Sequence, residues 1–191
     1  MLAPTIPALA CTSAEDEDRV LLQRYLTGDR EAFTALVIRY QKPIYNAAFW
    51  VLHKAEDASD IRQIVFLKVA ERLDDYDPKY KFFSWIYRIA VNESLNLLRR
   101  KGHEEELDEE MDLPGADNAD PLWQLSTAER SRRVQSTLKS MATNDRVVLT
   151  LRHFSECSYQ EMAQILELDE KTVKSRLFEA RQRLRGLLKD L

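Results

Sequence analysis

Two short helices separated by a tight turn are predicted by the segment Ser158-Tyr-Gln-Glu-Met-Ala-Gln-Ile-Leu-Glu-Leu-Asp-Glu-Lys-Thr-Val-Lys-Ser-Arg-Leu-Phe-Glu-Ala-Arg-Gln-Arg-Leu-Arg185. Ser158 and Glu161 form a capping-box pattern that begins the first helix, and Asp169 is placed to cap the second. The apolar side of the first helix consists of Met162, Ala163, Ile165 and Leu166. This arrangement is typical of a helix-turn-helix that reads DNA.

The second helix of this segment has an apolar stripe and a basic remainder. Val173, Leu177, Ala180 and Leu184 follow a 4-3-4 spacing, so we expect them to be buried together. Residues 171–189 contain seven Lys or Arg and one acidic residue, an excess that attracts phosphates. The alternative is a solvated amphipathic helix of a bundle. Opposite or beside the stripe, and therefore candidates for a major groove, lie Lys171, Lys174, Ser175, Phe178, Glu179 and Gln182.

The composition of the 191-residue chain indicates an all-α protein with segregated charge. Four Gly, six Pro and few β-branched runs favour helices over strands. The formal net charge is -4, so the whole chain is not the polycation expected of a non-specific nucleic-acid binder. No apolar run approaches the roughly 20 residues that cross a bilayer. Residues 1–14 are expected to be a disordered tail, because they contain Pro4 and Pro7 and lack the basic start of a signal peptide.

Cysteine and histidine usage suggests neither a disulfide framework nor a metal centre. Cys11 and Cys157 are far apart in the chain, which fits two ordinary thiols in a reducing cytosol. His153 and Cys157 are four residues apart, but two ligands without convergent partners do not make a zinc site. We therefore expect no cofactor and no metal.

Helical periodicity divides residues 15–102 into a run of helices. Ser13 with Asp16 predicts the start of the first helix, Gly28 its end, and Asp29 the start of the next. Pro43 predicts a break before a further helix, 44–52. Asp57 or Ser59 is expected to begin a helix that reaches Leu73, and residues 74–78 a turn before a long helix, 82–100.

Residues 103–121 read as a flexible acidic linker. Between His103 and Asp120 there are nine acidic residues, no Lys or Arg, and Pro114-Gly115 in the middle. Too few apolar groups are present to offset the entropy of ordering this segment, and a solvated spacer is favoured over a specific binding role. The sequence therefore predicts two small helical domains, 15–102 and 122–191, on a flexible tether.

The helix predicted from Phe82 to Arg100 carries four aromatic residues within its first six and a basic end. Aromatic platforms with cations suit unstacked bases and a single-stranded backbone, although an ordinary buried stripe is the alternative. We expect Trp85, Ile86, Ile89 and Ala90 to be buried. The candidates for DNA contact are Phe82, Arg88, Asn92, Asn96, Arg99 and Arg100.

Four segments, in the same order as in the family, give the chain a resemblance to the extracytoplasmic-function sigma factors, two-domain members of the sigma-70 family. The segment 28–40 is similar to the family's opening helices, and 55–66 to its polymerase-binding helix. The segment 83–92 resembles its promoter-melting segment, and 172–177 its second-domain recognition helix. The resemblance covers nearly everything after Asp16, with a linker where the family has one.

The resemblance implies partners and roles. Asp60, Gln63 and Phe66 match the helix that docks on the β′ clamp of core RNA polymerase, although Phe66 could simply be buried. Asn92 matches a position that contacts a flipped base of the minus-ten element. The partners would be the β′ clamp and the β subunit of core polymerase, and the linker would thread the polymerase channel near the path of nascent RNA. An anti-sigma factor, often membrane-anchored, would hold the protein inactive in the bacterial cytoplasm.

The same resemblance assigns the reading face for the minus-thirty-five element to Lys174, Ser175, Phe178 and Glu179, which projection along the helix also selects. Arg181, Arg183 and Arg185 would contact DNA phosphates, which adds affinity without sequence information.

Some residues depart from the family pattern. Ile64 stands where the family usually has an acid, and Glu167 and Lys171 where it prefers glycine. Glu179 replaces what is often an arginine, and a carboxylate accepts a hydrogen bond from the amino group of cytosine rather than donating one to guanine. We therefore expect a different promoter preference.

Two other classes of function are alternatives to a sigma factor. A stand-alone helix-turn-helix regulator would bind operator DNA without polymerase. An enzyme using His53, His103 or His153 lacks a nucleophile, a carboxylate pair or a phosphate loop to support it.

Overall fold

A computed structural model describes residues 11–102 and 135–189, and within these ranges every regular element is helical. The expected all-α, two-domain architecture is confirmed. The first domain consists of α1 (Cys11–Leu26), α2 (Arg30–Leu52), α3 (Ala55–Glu71), a 3₁₀ turn (Leu73–Asp75) and α4 (Phe82–Lys101). The second consists of α5 (135–140), α6 (Thr143–Leu149), a π-helical turn (Thr150–Phe154), α7 (Tyr159–Leu166) and α8 (Glu170–Lys189). The predicted linker, 103–121, lies outside the described residues.

The junction between α1 and α2 is set by local sequence, as expected. Gly28 has a φ of 98°, a left-handed conformation that suits glycine after a helix end. Asp29 then caps α2, because its carboxylate accepts from the backbone N–H of Glu31 at 3.0 Å.

The start of α1 differs from the expectation. The chain is already helical at Cys11, the first described residue, so Ser13 is not the N-cap of α1. Residues 11–14 contain no proline or glycine that would stop a helix. The rest of the predicted tail lies outside the described residues.

The expected break at Pro43 is also wrong, since α2 continues through it to Leu52. An interior proline costs a helix roughly 3 kcal/mol through a lost hydrogen bond and a steric clash. Tyr40 and Ile44 are both buried on either side of Pro43, with Ile44 fully inaccessible. Tertiary packing of both turns therefore offsets the local penalty.

The core of the first domain joins α2, α3 and α4. Ile44, Ile61, Val65 and Ile86 are almost completely buried in it. The helix α3 begins at Ala55, slightly earlier than expected, with Asp57 in its first turn. Lys101 Nζ donates to both carboxylate oxygens of Asp57, at 2.7 and 2.8 Å, which ties the start of α3 to the end of α4.

The second domain is built around a small core from all its helices. Its most buried large side chains are Leu138, Leu149, Leu151, Met162, Ile165 and Leu177. The two domains pack on each other: α4 contacts α7, and the end of α2 contacts α6 and the π-helical turn. Among the helices of the described ranges, none is both long and apolar enough to span a membrane.

Candidate nucleic-acid interface

The helix-turn-helix is fixed at both of its helix starts by the caps that the sequence predicts. Ser158 Oγ accepts from the Glu161 N–H at 3.2 Å, and the Glu161 carboxylate accepts from the Ser158 N–H at 2.8 Å. Asp169 accepts from the backbone N–H of Thr172 at 2.8 Å and from its hydroxyl at 2.6 Å. These hydrogen bonds from Thr172 lower the pKa of Asp169. Both caps satisfy backbone donors that would otherwise be unpaired.

The turn between α7 and α8 keeps a left-handed backbone without glycine. Glu167 ends α7 with a φ of 55° and a ψ of 44°, and the Leu168 N–H bonds to the Ala163 carbonyl at 3.0 Å. A non-glycine residue in this region costs on the order of 1 kcal/mol. This left-handed turn is therefore tolerated with a glutamate at the position.

The second helix, α8, divides into a buried stripe and an exposed face as projected. Val173, Leu177 and Ala180 are buried, and Leu184 is half-buried at the end of the stripe. Phe178 is 63% exposed, unusual for a large aromatic side chain on a folded domain. All six candidate groove residues are exposed: Lys171, Lys174, Ser175, Phe178, Glu179 and Gln182.

Two charged residues of this face are held by neighbours. Lys174 Nζ donates to Glu170 at 3.2 Å and lies 5.2 Å from the centre of the Tyr159 ring. Glu179 accepts from Arg183 at 3.2 Å. Their positions are thus partly fixed before any ligand binds, although exposed pairs of this kind contribute little to stability.

The three arginines predicted to contact phosphates lie in different surroundings. Arg181 Nε donates to His153 Nε2 at 3.2 Å. Arg183 donates to both oxygens of the mostly buried Asp145, at 2.7 and 2.8 Å, and so anchors α8 to α6. Arg185 is exposed. Phosphate contact by these residues stays a prediction.

Phe82, expected at the surface of α4, is buried. It is 3% exposed, and its ring packs at 5.4 Å from Tyr40 and 5.7 Å from Tyr76, each edge to face. The expectation that Phe82 stays exposed for DNA is wrong, because the first turn of α4 faces an aromatic cluster whose members are distant in sequence. Ile86 and Ala90 are buried as expected, whereas Trp85 and Ile89 are only half-buried against the core.

The other candidates on α4 reach the surface. Asn92, Asn96, Arg99 and Arg100 are exposed, and the Asn96 side-chain oxygen accepts from Arg99 at 3.3 Å. Arg88 is partly covered, because its Nη1 donates to Glu167 of the second domain at 2.8 Å. The structure therefore offers five polar or cationic side chains along one helix.

A second surface, on α3, carries the residues predicted to dock on a protein partner. Asp60 and Gln63 are exposed, and Phe66 is half-buried against the core. Leu67 is 62% exposed, and its i, i+4 and i, i+7 spacing places it on the same face as Gln63 and Asp60. Sequence reasoning missed Leu67, although an apolar residue seven positions after Asp60 was the available signal. We call Asp60, Gln63 and Leu67 the α3 face.

Among the described residues, no group of three or more His, Cys, Asp or Glu side chains could hold a metal ion. Burial raises the pKa of the Cys157 thiol to about 12, which makes it a poor nucleophile. Burial, with Arg181 and Arg152 nearby, lowers the pKa of His153.

Family models place both domains. The model described as Sigma-70 region 2 matches residues 36–104, and that described as Sigma-70, region 4 matches residues 131–184. The chain is 30% identical over 188 residues to the RNA polymerase sigma-H factor of Pseudomonas aeruginosa, with 93% of this chain and 96% of that protein covered. It is 31% identical over 173 residues to the ECF RNA polymerase sigma factor SigW of Bacillus subtilis, with 86% and 92% covered.

Solved structures show the same fold. CnrH in complex with the cytosolic domain of CnrY matches with a TM-score of 0.70 and 28% identity, over 91% of this chain and 98% of that one. The sigma factor RpoE in complex with the anti-sigma factor NepR, from Bartonella quintana, matches with a TM-score of 0.67 and 22% identity, over 82% and 96%.

Two helical domains with these matches define a transcription initiation factor of the sigma type. The chain belongs to the sigma-70 family and to its extracytoplasmic-function group. It is an alternative sigma factor that directs RNA polymerase to promoters, and not an enzyme. The alternative of a stand-alone regulator is not supported.

Proposed function

We propose that three surfaces divide the work of promoter recognition: the α3 face binds core RNA polymerase, α4 opens the minus-ten element, and α8 reads the minus-thirty-five element. The observation that carries this proposal is α8, a capped helix whose exposed face lies opposite a buried stripe. Such a helix is anchored in its domain and still able to enter a major groove.

For the upstream element, Lys174, Ser175, Phe178 and Glu179 are the base-reading side chains. Each good base contact contributes about 1–3 kcal/mol of discrimination. Lys171 and Gln182 extend the same surface at either end, and Arg185 offers an exposed cation for the backbone. Arg181 and Arg183 can join it only by sharing or leaving their bonds to His153 and Asp145.

For the downstream element, Asn92 is the candidate for capturing a flipped base, with Asn96 one turn further along α4. Arg88, Arg99 and Arg100 supply charge for the displaced strand. Phe82 is left out of this set because it belongs to the core.

A reconstituted transcription assay tests the proposal. The chain mixed with core RNA polymerase should direct transcription from its own promoters, and the chain alone should bind duplex promoter DNA weakly. Genome-wide transcription profiling after overexpression identifies those promoters. Tight operator binding without polymerase would overturn the proposal and favour a stand-alone regulator.

The docking role of α3 is tested by changing its exposed apolar residue. We expect Leu67→Lys to weaken binding to core polymerase at least tenfold, because it puts a charge in the apolar centre of a buried contact. Ile38→Lys, which makes a similar change at an apolar side chain of α2 that is 64% exposed, is the control and should bind nearly normally. Equal binding by both variants would place the polymerase contact elsewhere.

We further propose an anti-sigma factor as the regulator, acting in the bacterial cytoplasm and anchored at the inner membrane. Support comes from the match to CnrH, which was solved with the cytosolic domain of CnrY. Affinity capture of the tagged chain from its native bacterium, followed by membrane fractionation, is the test. Recovery of polymerase subunits without a small inhibitor would contradict the partner, and recovery of the inhibitor in the soluble fraction would contradict the anchor.

A further inference from the structure

Three charged side chains connect the reading face of α8 to the first turn of α6. Arg183 Nη1 donates to both carboxylate oxygens of Asp145, at 2.7 and 2.8 Å, and Arg183 Nη2 donates to Glu179 at 3.2 Å. One guanidinium therefore bonds two carboxylates at once, one from each helix. We call Asp145, Arg183 and Glu179 the α6–α8 triad.

The inner end of the triad is fixed in the second domain. Asp145 is 7% exposed and lies in the first turn of α6, where its backbone N–H bonds to the Ala142 carbonyl at 2.9 Å. A mostly buried carboxylate is stable only with a charged or hydrogen-bonded partner. Arg183 supplies both, because charge-assisted hydrogen bonds from its guanidinium reach each oxygen of Asp145. Asp145 thereby holds the guanidinium in place.

The outer end of the triad is exposed. The side chains of Glu179 and Arg183 are 55% and 56% exposed and lie one helical turn apart on α8. An exposed pair at this spacing normally contributes little, because two long side chains lose conformational freedom when they pair. Here Arg183 has already lost that freedom to Asp145. Ordering Glu179 therefore costs less conformational entropy than in an isolated pair.

Glu179 gains from such a partner when it reads a base. A carboxylate in a major groove lies between two rows of phosphates, whose negative charge repels it. The guanidinium of Arg183 offsets this repulsion at close range. Its hydrogen bond occupies Oε2 of Glu179, and Oε1 would accept from the amino group of a cytosine.

Arg183 could instead bind a DNA phosphate, the role expected of Arg185. Two observations favour the role within the triad. The triad carries one positive and two negative charges, so it has no net positive charge to offer a phosphate. Leaving Asp145 would also strip a mostly buried carboxylate of its cation, which costs free energy.

We propose that Asp145 is a positioning residue for promoter recognition: through Arg183 it orients Glu179 towards one base pair of the minus-thirty-five element. The inference rests on the proposed role of Glu179 as a base reader. It assigns Arg183 to base selection rather than to phosphate contact. It also places a determinant of promoter choice on α6, outside the helix-turn-helix.

The test uses holoenzyme assembled from core RNA polymerase and the full-length chain. Competition binding compares four versions of a mapped promoter that differ at one base pair of the minus-thirty-five element, the pair at which Glu179→Gln changes the preference. Two quantities are measured: the affinity averaged over the four promoters, and the ratio of affinities between the preferred base pair and the others.

Two variants interrupt the triad without changing Glu179. Asp145→Asn keeps one oxygen acceptor but loses the charge, and circular dichroism checks that this variant is folded. Arg183→Lys changes an exposed side chain and keeps its charge, but it loses the planar fork that bonds two carboxylates. Arg176→Lys is the matched control, since it makes the same change at an exposed arginine of α8 outside the proposed reading and phosphate sets.

We expect Asp145→Asn and Arg183→Lys each to lower the affinity ratio about three- to tenfold, part of what one good base contact supplies. The averaged affinity should change less than about twofold, because phosphate contacts carry the sequence-independent part of binding. Arg176→Lys should keep the ratio of the unsubstituted chain. An unchanged ratio in either test variant, or a fall in averaged affinity alone, would overturn the inference.

The double variant Asp145→Asn with Glu179→Gln separates positioning from a general structural role. If Asp145 acts through Glu179, its substitution in the Glu179→Gln chain should lower the ratio no further. A further loss as large as that in Asp145→Asn alone would overturn positioning. If Glu179→Gln leaves the preference unchanged at every position, the reading role of Glu179 fails and the inference fails with it. A changed preference in Glu179→Gln beside unchanged ratios in Asp145→Asn and Arg183→Lys overturns the inference alone.

Discussion

The helices α4 and α8 are both 20 residues long and both face DNA in the proposed function, yet they present their surfaces differently. The helix α8 begins at the Asp169 cap, buries its stripe in its own domain and keeps its reading face exposed. Among the described residues, α4 has no side-chain cap at Lys81, and α7 covers part of its outer face. The surface of α8 is thus a property of one domain, whereas that of α4 depends on how two domains are arranged.

The largest expected effect is a loss of stability when a side chain on the buried side of α8 is shortened, compared with the same change on its exposed side. Leu177→Ala removes a side chain that is 1% exposed and should lower the free energy of unfolding of the second domain by about 2–5 kcal/mol. Its neighbour Phe178 is 63% exposed, so Phe178→Ala should change that free energy by less than about 0.5 kcal/mol while weakening promoter recognition. Denaturant titration with promoter binding measures both, and a large loss of stability in Phe178→Ala would contradict the assignment of faces.

The packing of the two domains on each other should depend on pH through His53. This residue is 8% exposed, and burial, with Arg146 and Lys139 of the other domain, lowers its pKa to about 4. The packed arrangement of the two domains favours neutral His53. The free energy that holds the domains together is therefore fully present above pH 6.5 and falls as the pH drops from 6.5 towards 4. The loss should be on the order of 2 kcal/mol by pH 4.5.

The radius of gyration, measured by small-angle X-ray scattering between pH 7.5 and 4.5, checks this expectation and should increase as the pH falls. The matched variant is His53→Asn, because asparagine tolerates the left-handed φ of 55° at this position. Its radius should change little over the same interval. Expansion of the His53→Asn variant over this interval would assign the effect to another group.

A change of sequence preference should come from Glu179 without any change in domain arrangement. Glu179→Arg should move the preference at one position of the minus-thirty-five element from cytosine towards guanine, by about 1–3 kcal/mol. Selection of promoter variants from a randomised pool, with Glu179→Gln as the uncharged control, measures the preference. An unchanged preference in Glu179→Arg would remove Glu179 from the reading face.

The smallest effect expected is at the cap of α8. Asp169→Ala should cost about 1 kcal/mol of stability, because the Thr172 N–H loses its acceptor. Ser175→Ala, on the exposed face of the same helix, should leave stability nearly unchanged. Thermal unfolding monitored by circular dichroism distinguishes the two, and equal melting temperatures would show that the cap contributes nothing.

The sequence predicts those parts of the fold that are decided within a few residues of themselves. The caps at Ser158 and Asp169, the turn at Gly28 and the stripe of α8 are local, and all are confirmed. The continuation of α2 through Pro43 and the burial of Phe82 are decided by side chains elsewhere in the chain, so local reasoning failed there. Roles on DNA and polymerase remain predictions.

The packing between the two domains could not be predicted from the sequence either, because the residues that make it are even further apart in the chain. Arg88 and Glu167 are 79 residues apart, and nothing near either residue signals the other. Each also has an ordinary local explanation, Arg88 as a cation for DNA and Glu167 as a turn residue. A contact made of residues with plausible separate roles leaves no pattern for periodicity to detect.

The stack of Trp50 on Phe154 gives the protein an optical reporter of its own. Indole emission responds to the water and the aromatic rings around it. If the two domains separated, water would replace Phe154 next to the Trp50 ring. With the other two tryptophans replaced by phenylalanine, the wavelength of maximum Trp50 emission would follow separation of the domains in real time. Stopped-flow mixing with core polymerase would then show whether polymerase binds before the two domains separate, without any attached dye.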